Sequence, residues 1–253
     1  MRLVHKFKKL VNLLISKVGY KIVSVKSLQQ LKEGGKTGHN TMSAALLRLQ
    51  DMNINPATVV DVGAASGKWT QLANEVWPKA TYCLIEPLHE NGPELDALVE
   101  SDRSRFEWFP GVAGSDSGTV AFNVTKDLDG SGIYGSQDGD MRIVPVYKLD
   151  IILENKQVPI VIKLDTHGYE LPILDGAIET LKSTEALIIE VYGFYVSPTA
   201  ILFNKLSDHL EKLGFRLYDI VDVVRREKDL AFWQADAVYI KDNNPIFKNN
   251  RYQ

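Results

Sequence analysis

Asp165, Thr166, His167 and Gly168 stand in a row after Ile160, Val161, Ile162 and Leu164. A mainly apolar run that stops on an acid, a hydroxyl, an imidazole and a glycine reads as a buried strand opening onto a site. The ordinary pKa of histidine is ~6.5, so His167 can take a proton from a hydroxyl near neutral pH. Asp165 can orient that imidazole or act as the base itself. Glu190 stands at the end of a second apolar run, Ala186 to Ile189, and can bind an acceptor or support the base. The plainer roles are a helix cap for Asp165 and a structural ion pair for Glu190. Asp165, His167 and Glu190 are the candidate catalytic residues. Their ligand atoms are hard or borderline, but one such group of three is thin ground for an ion, and no metal is expected.

A second set of residues points to a cofactor. Asp61 to Gly67 reads D-V-G-A-A-S-G after the β-branched Val59 and Val60. Gly63 and Gly67 flank a turn that lets backbone approach a ligand closely. Glu86 follows the apolar run 82–85 and can accept two hydrogen bonds from vicinal ribose hydroxyls. A dinucleotide site needs G-x-G-x-x-G to seat a pyrophosphate at a helix N-terminus, and the Gly-x-Gly pair is absent here. That argues against nicotinamide chemistry. An acid at Asp61 suits a cationic amino acid instead. S-adenosylmethionine carries an ammonium, a sulfonium, a carboxylate and a ribose, and no phosphate. It is the expected cofactor.

The elements that must carry these residues alternate. A short amphipathic helix with Met42, Ala45, Leu46 and Leu49 on one face precedes the first strand. Strands are expected near 59–62, 81–86, 106–114, 160–164 and 186–192, with helices after the glycine turn, over 95–99, over 169–181 and over about 200–213. Residues 118–124 and 142–149 read as an antiparallel pair joined by a glycine-rich loop, of which 130–135 is either a lid or an ordinary connection. Two late strands suggest an antiparallel edge. Strands alternating with helices imply an α/β, mostly parallel sheet with helices on both faces. Ligands then bind beyond the carboxyl ends of the strands. Those ends carry Asp61, Gly63, Ala64, Ala65, Gly67, Glu86, Ala113, Asp116, Asp165 and Glu190.

The sequence resembles the FkbM-family methyltransferases of the class I S-adenosylmethionine-dependent fold. The matching stretches are VVDVGAASGKWT, LIEP, GVAGSDSGTVAFNV, GSGIYGS, VPVYKLDIIL, IVIKLDTHGYELPILDGAIETL and LIIEVY, in family order over about residues 58–192. The resemblance implies a Rossmann-like sheet of seven strands and O-methylation, often of a sugar or polyketide hydroxyl. It implies that Asp61, Gly63, Ala64, Ala65, Gly67, Glu86, Ala113 and Asp165 border the cofactor. Asp116 is carried over as the acid that reaches the adenine amino group, and GSDSG is also plain turn chemistry. The sequence departs from the family at Ala65, where Asn is frequent, and at Thr166–His167, where Val-Gln or Val-Glu is common.

Bulk properties bound the rest. The chain has 253 residues, 45% apolar and 24% charged, as in a soluble globular protein. One cysteine, Cys83, excludes an internal disulfide and an all-cysteine zinc site. The net charge of −3 is uneven, because residues 1–32 hold eight Lys or Arg and no acid, leaving 21 bases against 32 acids in the remainder. An acidic body argues against nucleic acid as a partner. The basic segment has apolar residues at helical spacing over 2–18. That face can meet a membrane interface, its own domain or a second subunit. No apolar run is long enough to span a bilayer or form a secretory signal, so the expected location is cytoplasmic, or peripheral to the inner face of a membrane. The expected division is a basic segment over 1–36 and one methyltransferase domain over 37–253. The expected activity is methyl transfer to a hydroxyl of a sugar, glycan or related small molecule. The alternative is a non-catalytic nucleotide- or glycan-binding protein on the same fold.

Overall fold

The computed structural model describes residues 38–128, 130–133 and 139–252. The basic segment over 2–18 and its expected contacts lie outside the described residues, as do residues 134–138 of the glycine-rich loop. Two compact units divide at Thr41, with Met42–Gln253 forming the second. The candidate site belongs to the second unit.

That unit opens with α1 (Met42–Asp51), which buries Met42, Ala45, Leu46 and Leu49, the face read from their spacing. Then come β1 (Thr58–Val62), α2 (Lys68–Val76), β2 (Thr81–Ile85), α3 (Gly92–Ser101) and β3 (Phe106–Phe109). Next are β4 (Val112–Ala113), β5 (Gly118–Val124), β6 (Asp140–Tyr147), α4 (Leu149–Ile152) and β7 (Ile160–Leu164). The chain closes with α5 (Glu170–Asp175), α6 (Ile178–Lys182), β8 (Thr184–Tyr192), α7 (Phe203–Lys212), β9 (Phe215–Arg225) and β10 (Phe232–Lys241). Seven strands form one sheet in the order β3-β2-β1-β7-β8-β10-β9, and β4-β6-β5 form a second. Neighbours from β3 to β8 are parallel, while β10 runs antiparallel between β8 and β9. Among the described residues no helix is long and apolar enough to cross a membrane.

Alternation of side chains along the strands explains both the core and the site. Val60, Ile162 and Ile189 pack on one face, and Val59, Val161, Ile188 and Val238 on the other. Following that second face toward the site, the next positions are Asp61, Lys163, Glu190 and Asp236. The register pairs Asp61 with Lys163 and Glu190 with Asp236. A row of ionisable groups therefore continues a row of buried aliphatic ones.

Two expected elements are divided. The strand expected over 106–114 parts at Pro110–Gly111, and its second piece joins the smaller sheet by pairing with β6. Proline offers no donor to continue a ladder. The helix expected over 169–181 parts at Gly176 and Ala177. A Cβ on Gly176 would lie 2.1 Å from the Gly114 carbonyl oxygen, so a distant loop presses on the chain there.

Candidate active site

The cofactor turn is built on a close contact. Gly63 has φ 76°, and a Cβ on it would lie 2.0 Å from the Asp165 carbonyl oxygen. Only glycine allows β1 and β7 to end this close together. The Gly63 N–H donates to the Ile85 carbonyl at 2.9 Å, which ties the turn to β2. Glu86, 4% exposed, accepts from the Ala65 N–H at 2.8 Å and the Leu88 N–H at 2.9 Å. Burial pushes its carboxyl up, against the pull of those backbone donors. Both donors leave lone pairs for further hydrogen bonds. A cavity of about 550 Å³ opens here, lined by Gly63, Ala64, Ala65, Glu86 and Ala113 and by Asp165, His167 and Glu190.

Lys163 organises the floor. Its side chain is buried in the central strand, and its Nζ donates to Asp165 Oδ2 at 2.8 Å and lies 3.9 Å from Asp61 Oδ1. Burial works against its charge, but Asp165 and Asp61 more than offset this and hold its pKa above the ordinary value. Burial also opposes ionisation of Asp165, yet Lys163 keeps that carboxyl below the usual range. Glu190 behaves oppositely. Burial, then the Asp165 charge, push it up to about 8. Its oxygens accept from the Tyr192 hydroxyl and the Gln234 amide. Two carboxyls with divergent affinities share one site, so near neutral pH Asp165 is ionised and Glu190 holds a proton. Asp236 is pushed up to about 6 by burial and, despite Lys163, by Asp165 and Asp222.

His167 faces this pair. Its Nε2 lies 3.7 Å from Asp165 Oδ1 and 3.8 Å from Glu190 Oε2, and its side chain is half exposed. One ligand atom from each of the three residues lies within 4.8 Å of the others, a spacing that an ion can bridge. Lys163, Tyr192 and Gln234 already engage the carboxylates, which favours a proton-handling group over an ion site. A second cleft of about 970 Å³ adjoins the first and shares with it Thr166, His167, Tyr169 and Ser131. Its other walls carry Tyr192 and Trp233 and the hydroxyls of Thr125, Ser197 and Thr199.

Three expected cofactor residues are placed elsewhere. Asp61 is 1% exposed, accepts from Thr70 Oγ1 at 2.6 Å, and does not line the cavity. It pins the start of α2 to the end of β1. Gly67 is also off the cavity; the space above its Cα is filled by Leu84, Leu95 and Leu98. Asp116 points outward with its side chain 86% exposed, 3.9 Å from Lys148 Nζ, because its turn faces solvent. Asp165 does not cap the following helix. Glu170, buried, accepts from the Gly168 N–H at 2.9 Å and from Thr166 Oγ1 at 3.2 Å. Sequence reasoning passed over Lys163, although a lysine inside I-V-I-K-L was a visible anomaly. It also passed over Trp233 and Gln234, which reach the cleft only through the late return of β10.

Sheet order, glycine turn and strand-end acids together define the α/β fold of a class I methyltransferase. The chain belongs to the FkbM methyltransferase family, whose Methyltransferase FkbM domain model matches residues 61–217. Among solved structures it is similar to the FkbM methyltransferase of Methylobacillus flagellatus KT, with 19% identity and a TM-score of 0.48. That alignment covers 73% of this chain and only 43% of the other, so this chain spans less than half of that relative. It is also similar to the 1,6-didemethyltoxoflavin-N1-methyltransferase of Burkholderia thailandensis, solved with S-adenosylhomocysteine, at 14% identity, 85% coverage of each chain and a TM-score of 0.45. Nothing among curated proteins matches the sequence.

Proposed function

We propose that this chain is an S-adenosylmethionine-dependent O-methyltransferase acting on a hydroxyl of a sugar, glycan or related small molecule. One observation carries the reading: the cavity beside Glu86 and the hydroxyl-rich cleft meet at Thr166 and His167. The first cavity fits the cofactor in size and chemistry. Sites for small ligands run to about 300–1,000 Å³, and a buried carboxylate ending β2 suits vicinal ribose hydroxyls. The ionised carboxylates of the lining, Asp165 and Asp127, suit a ligand with positive centres. When bound, S-adenosylmethionine supplies an electrophilic methyl group.

The residues of the chain do the rest. The cleft offers aromatic faces from Tyr169, Tyr192 and Trp233 for the apolar side of a sugar ring, and hydroxyls for its edges. His167, at the junction, takes the acceptor proton on Nε2. Asp165, kept ionised by Lys163, stabilises the resulting imidazolium. Glu190, protonated near neutral pH, avoids a second buried charge and holds Tyr192 and Gln234 in place.

Calorimetric titration with S-adenosylmethionine, S-adenosylhomocysteine and NAD tests the cofactor assignment. Micromolar binding of the two sulfur ligands, weakened by Glu86→Ala, is expected. NAD binding in their place would move the protein to oxidoreductase chemistry. A screen of sugar acceptors, read by release of S-adenosylhomocysteine, then tests the acceptor class.

A further inference from the structure

The two cavities share a border and then part. Asp127, Thr166, His167 and Tyr169 line both. A methyl group passing between them crosses that border, so the ring that receives it sits at His167 and Tyr169. The cleft continues beyond, to Thr125, Val196, Ser197, Thr199, Trp233 and Gln234, none of which lines the cofactor cavity. This outer part carries one charged side chain, the exposed Lys126. At about 970 Å³ the cleft stands at the upper end of the range for small-ligand sites, about 300–1,000 Å³.

Trp233 is held in place on the wall of this outer part. It is half-buried, yet it is not among the residues of the hydrophobic cores. Its ring packs on Phe194, with centroids 5.4 Å apart and planes 31° apart. Phe194 is also outside the cores, and the Arg226 guanidinium lies 4.2 Å from its centroid. Arg226 in turn donates to Asp229 at 3.0 Å. The Gly193 N–H donates to the Trp233 carbonyl at 2.9 Å and fixes the backbone between the two rings. The facing hydroxyls are held as well. Gly168 has φ 98°, and a Cβ on it would lie 2.5 Å from Ser197 Oγ, so the Ser197 loop sits directly against the His167 turn. Aromatic rings that pack on each other and not on a core set one indole in a fixed position beside a ligand cleft.

We infer that the acceptor is a glycoside of at least two rings, with the methylated sugar at His167 and Tyr169 and a second, glycosidically linked ring on Trp233. The inference rests on the carbohydrate reading of the acceptor and narrows it, because a free monosaccharide leaves the outer part of the cleft unfilled. A second sugar lays its apolar face on the indole and turns its hydroxyl edge to Ser197, Thr199 and Gln234. An aromatic aglycone offers the same flat face. Trp233 is a specificity-determining residue in this arrangement. Phe194, which lines neither cavity, is a positioning residue that acts through it.

The probes are methyl glycosides of glucose, galactose, mannose and rhamnose, the p-nitrophenyl glycosides of the same sugars, and disaccharides ending in them. Turnover is read by release of S-adenosylhomocysteine. For a sugar that is methylated, kcat/KM should be about tenfold higher with a second ring than as the methyl glycoside, the scale of one aromatic stacking contact. A gain with disaccharides identifies the second ring as a sugar, and a gain with p-nitrophenyl glycosides alone identifies it as an aromatic aglycone. Trp233→Ala should bring the ratio of two-ring to one-ring turnover close to one, and Trp233→Phe should keep most of it. Phe194→Ala should lower the ratio by about threefold. Calorimetric binding of S-adenosylhomocysteine shows that each variant is folded. Equal turnover of one-ring and two-ring probes by the wild type, or equal slowing of both by Trp233→Ala, overturns the second-ring site and leaves the carbohydrate reading standing. A wild type that binds S-adenosylhomocysteine and methylates none of these sugars overturns the carbohydrate reading and this inference with it.

Discussion

Replacing Lys163 by methionine keeps the length of the side chain and removes the one ammonium that faces Asp61, Asp165 and Asp236. Removing one partner of a fully buried pair costs about 3–5 kcal/mol. The Asp165 side chain is 34% exposed, so solvent screening lowers the expected cost to about 2–3 kcal/mol near pH 8. The sign with pH follows from linkage. In the wild type the Asp165 pKa is depressed, so its contribution is present above the unfolded carboxyl value and lost as pH falls through the folded one. In the variant Asp165 and Asp61 lose that support and their pKa values rise, so the folded state is penalised increasingly as pH climbs. The difference between variant and wild type should therefore already be present at pH 5 and grow to its largest at pH 8. For a domain of this size about 2–3 kcal/mol corresponds to a fall in Tm of roughly 5–10 °C. Thermal denaturation by circular dichroism at pH 5, 6.5 and 8 reads it directly. A loss of equal size at pH 5 and pH 8 would refute the electrostatic account and leave only packing.

Four other outcomes are expected. Glu190 has a folded pKa raised to about 8, so its stabilising effect is present below the ordinary glutamate value and is lost as pH rises to about 8. Glu190→Gln should flatten the fall of Tm between about pH 5 and pH 8, and an unchanged slope in the variant would contradict the assignment. Gly63→Ala should destabilise by about 3 kcal/mol in urea titration, from overpacking plus a strained φ. His167→Ala should slow methyl transfer about 10²–10⁴-fold, as for loss of a general base, while S-adenosylhomocysteine binding stays within about threefold. Asp116→Ala, at an outward-facing acid, should leave cofactor binding unchanged to within about 0.5 kcal/mol in the same calorimetric assay.

The parts legible in the sequence are those governed by short-range pattern. The α1 face, the glycine turn after β1, and the strand ends at Glu86 and Asp165 follow from period, composition and glycine placement, whereas β8 continues past Glu190 to Tyr192. The parts that were not legible depend on residues far apart in the chain. Gly176 interrupts a helix because Gly114 lies against it, and Tyr192, Trp233 and Gln234 meet at the cleft only after β10 has crossed back beside β8. Asp61 and Glu86 look alike as strand-end acids, yet one is turned inward to accept from Thr70, with its other oxygen 3.9 Å from Lys163 Nζ, and the other lines the cavity. Which way an acid at a strand end turns depends on the donors around it, and spacing carries no record of them.

The continuation of an aliphatic row into an ionisable one has a consequence for how the sheet assembles. A strand shifted by one residue turns every side chain to the opposite face. A shift of β7 would drive the Lys163 ammonium among Val60, Leu187 and Ile189 and set a leucine or isoleucine against Asp61. Aliphatic residues on both sides of β7 discriminate poorly between the two registers, since either burial is apolar. The lysine supplies that discrimination. It acts as an indexing pin for the central strand, so a chain that has seated β7 correctly has, in the same step, assembled the floor of its active site.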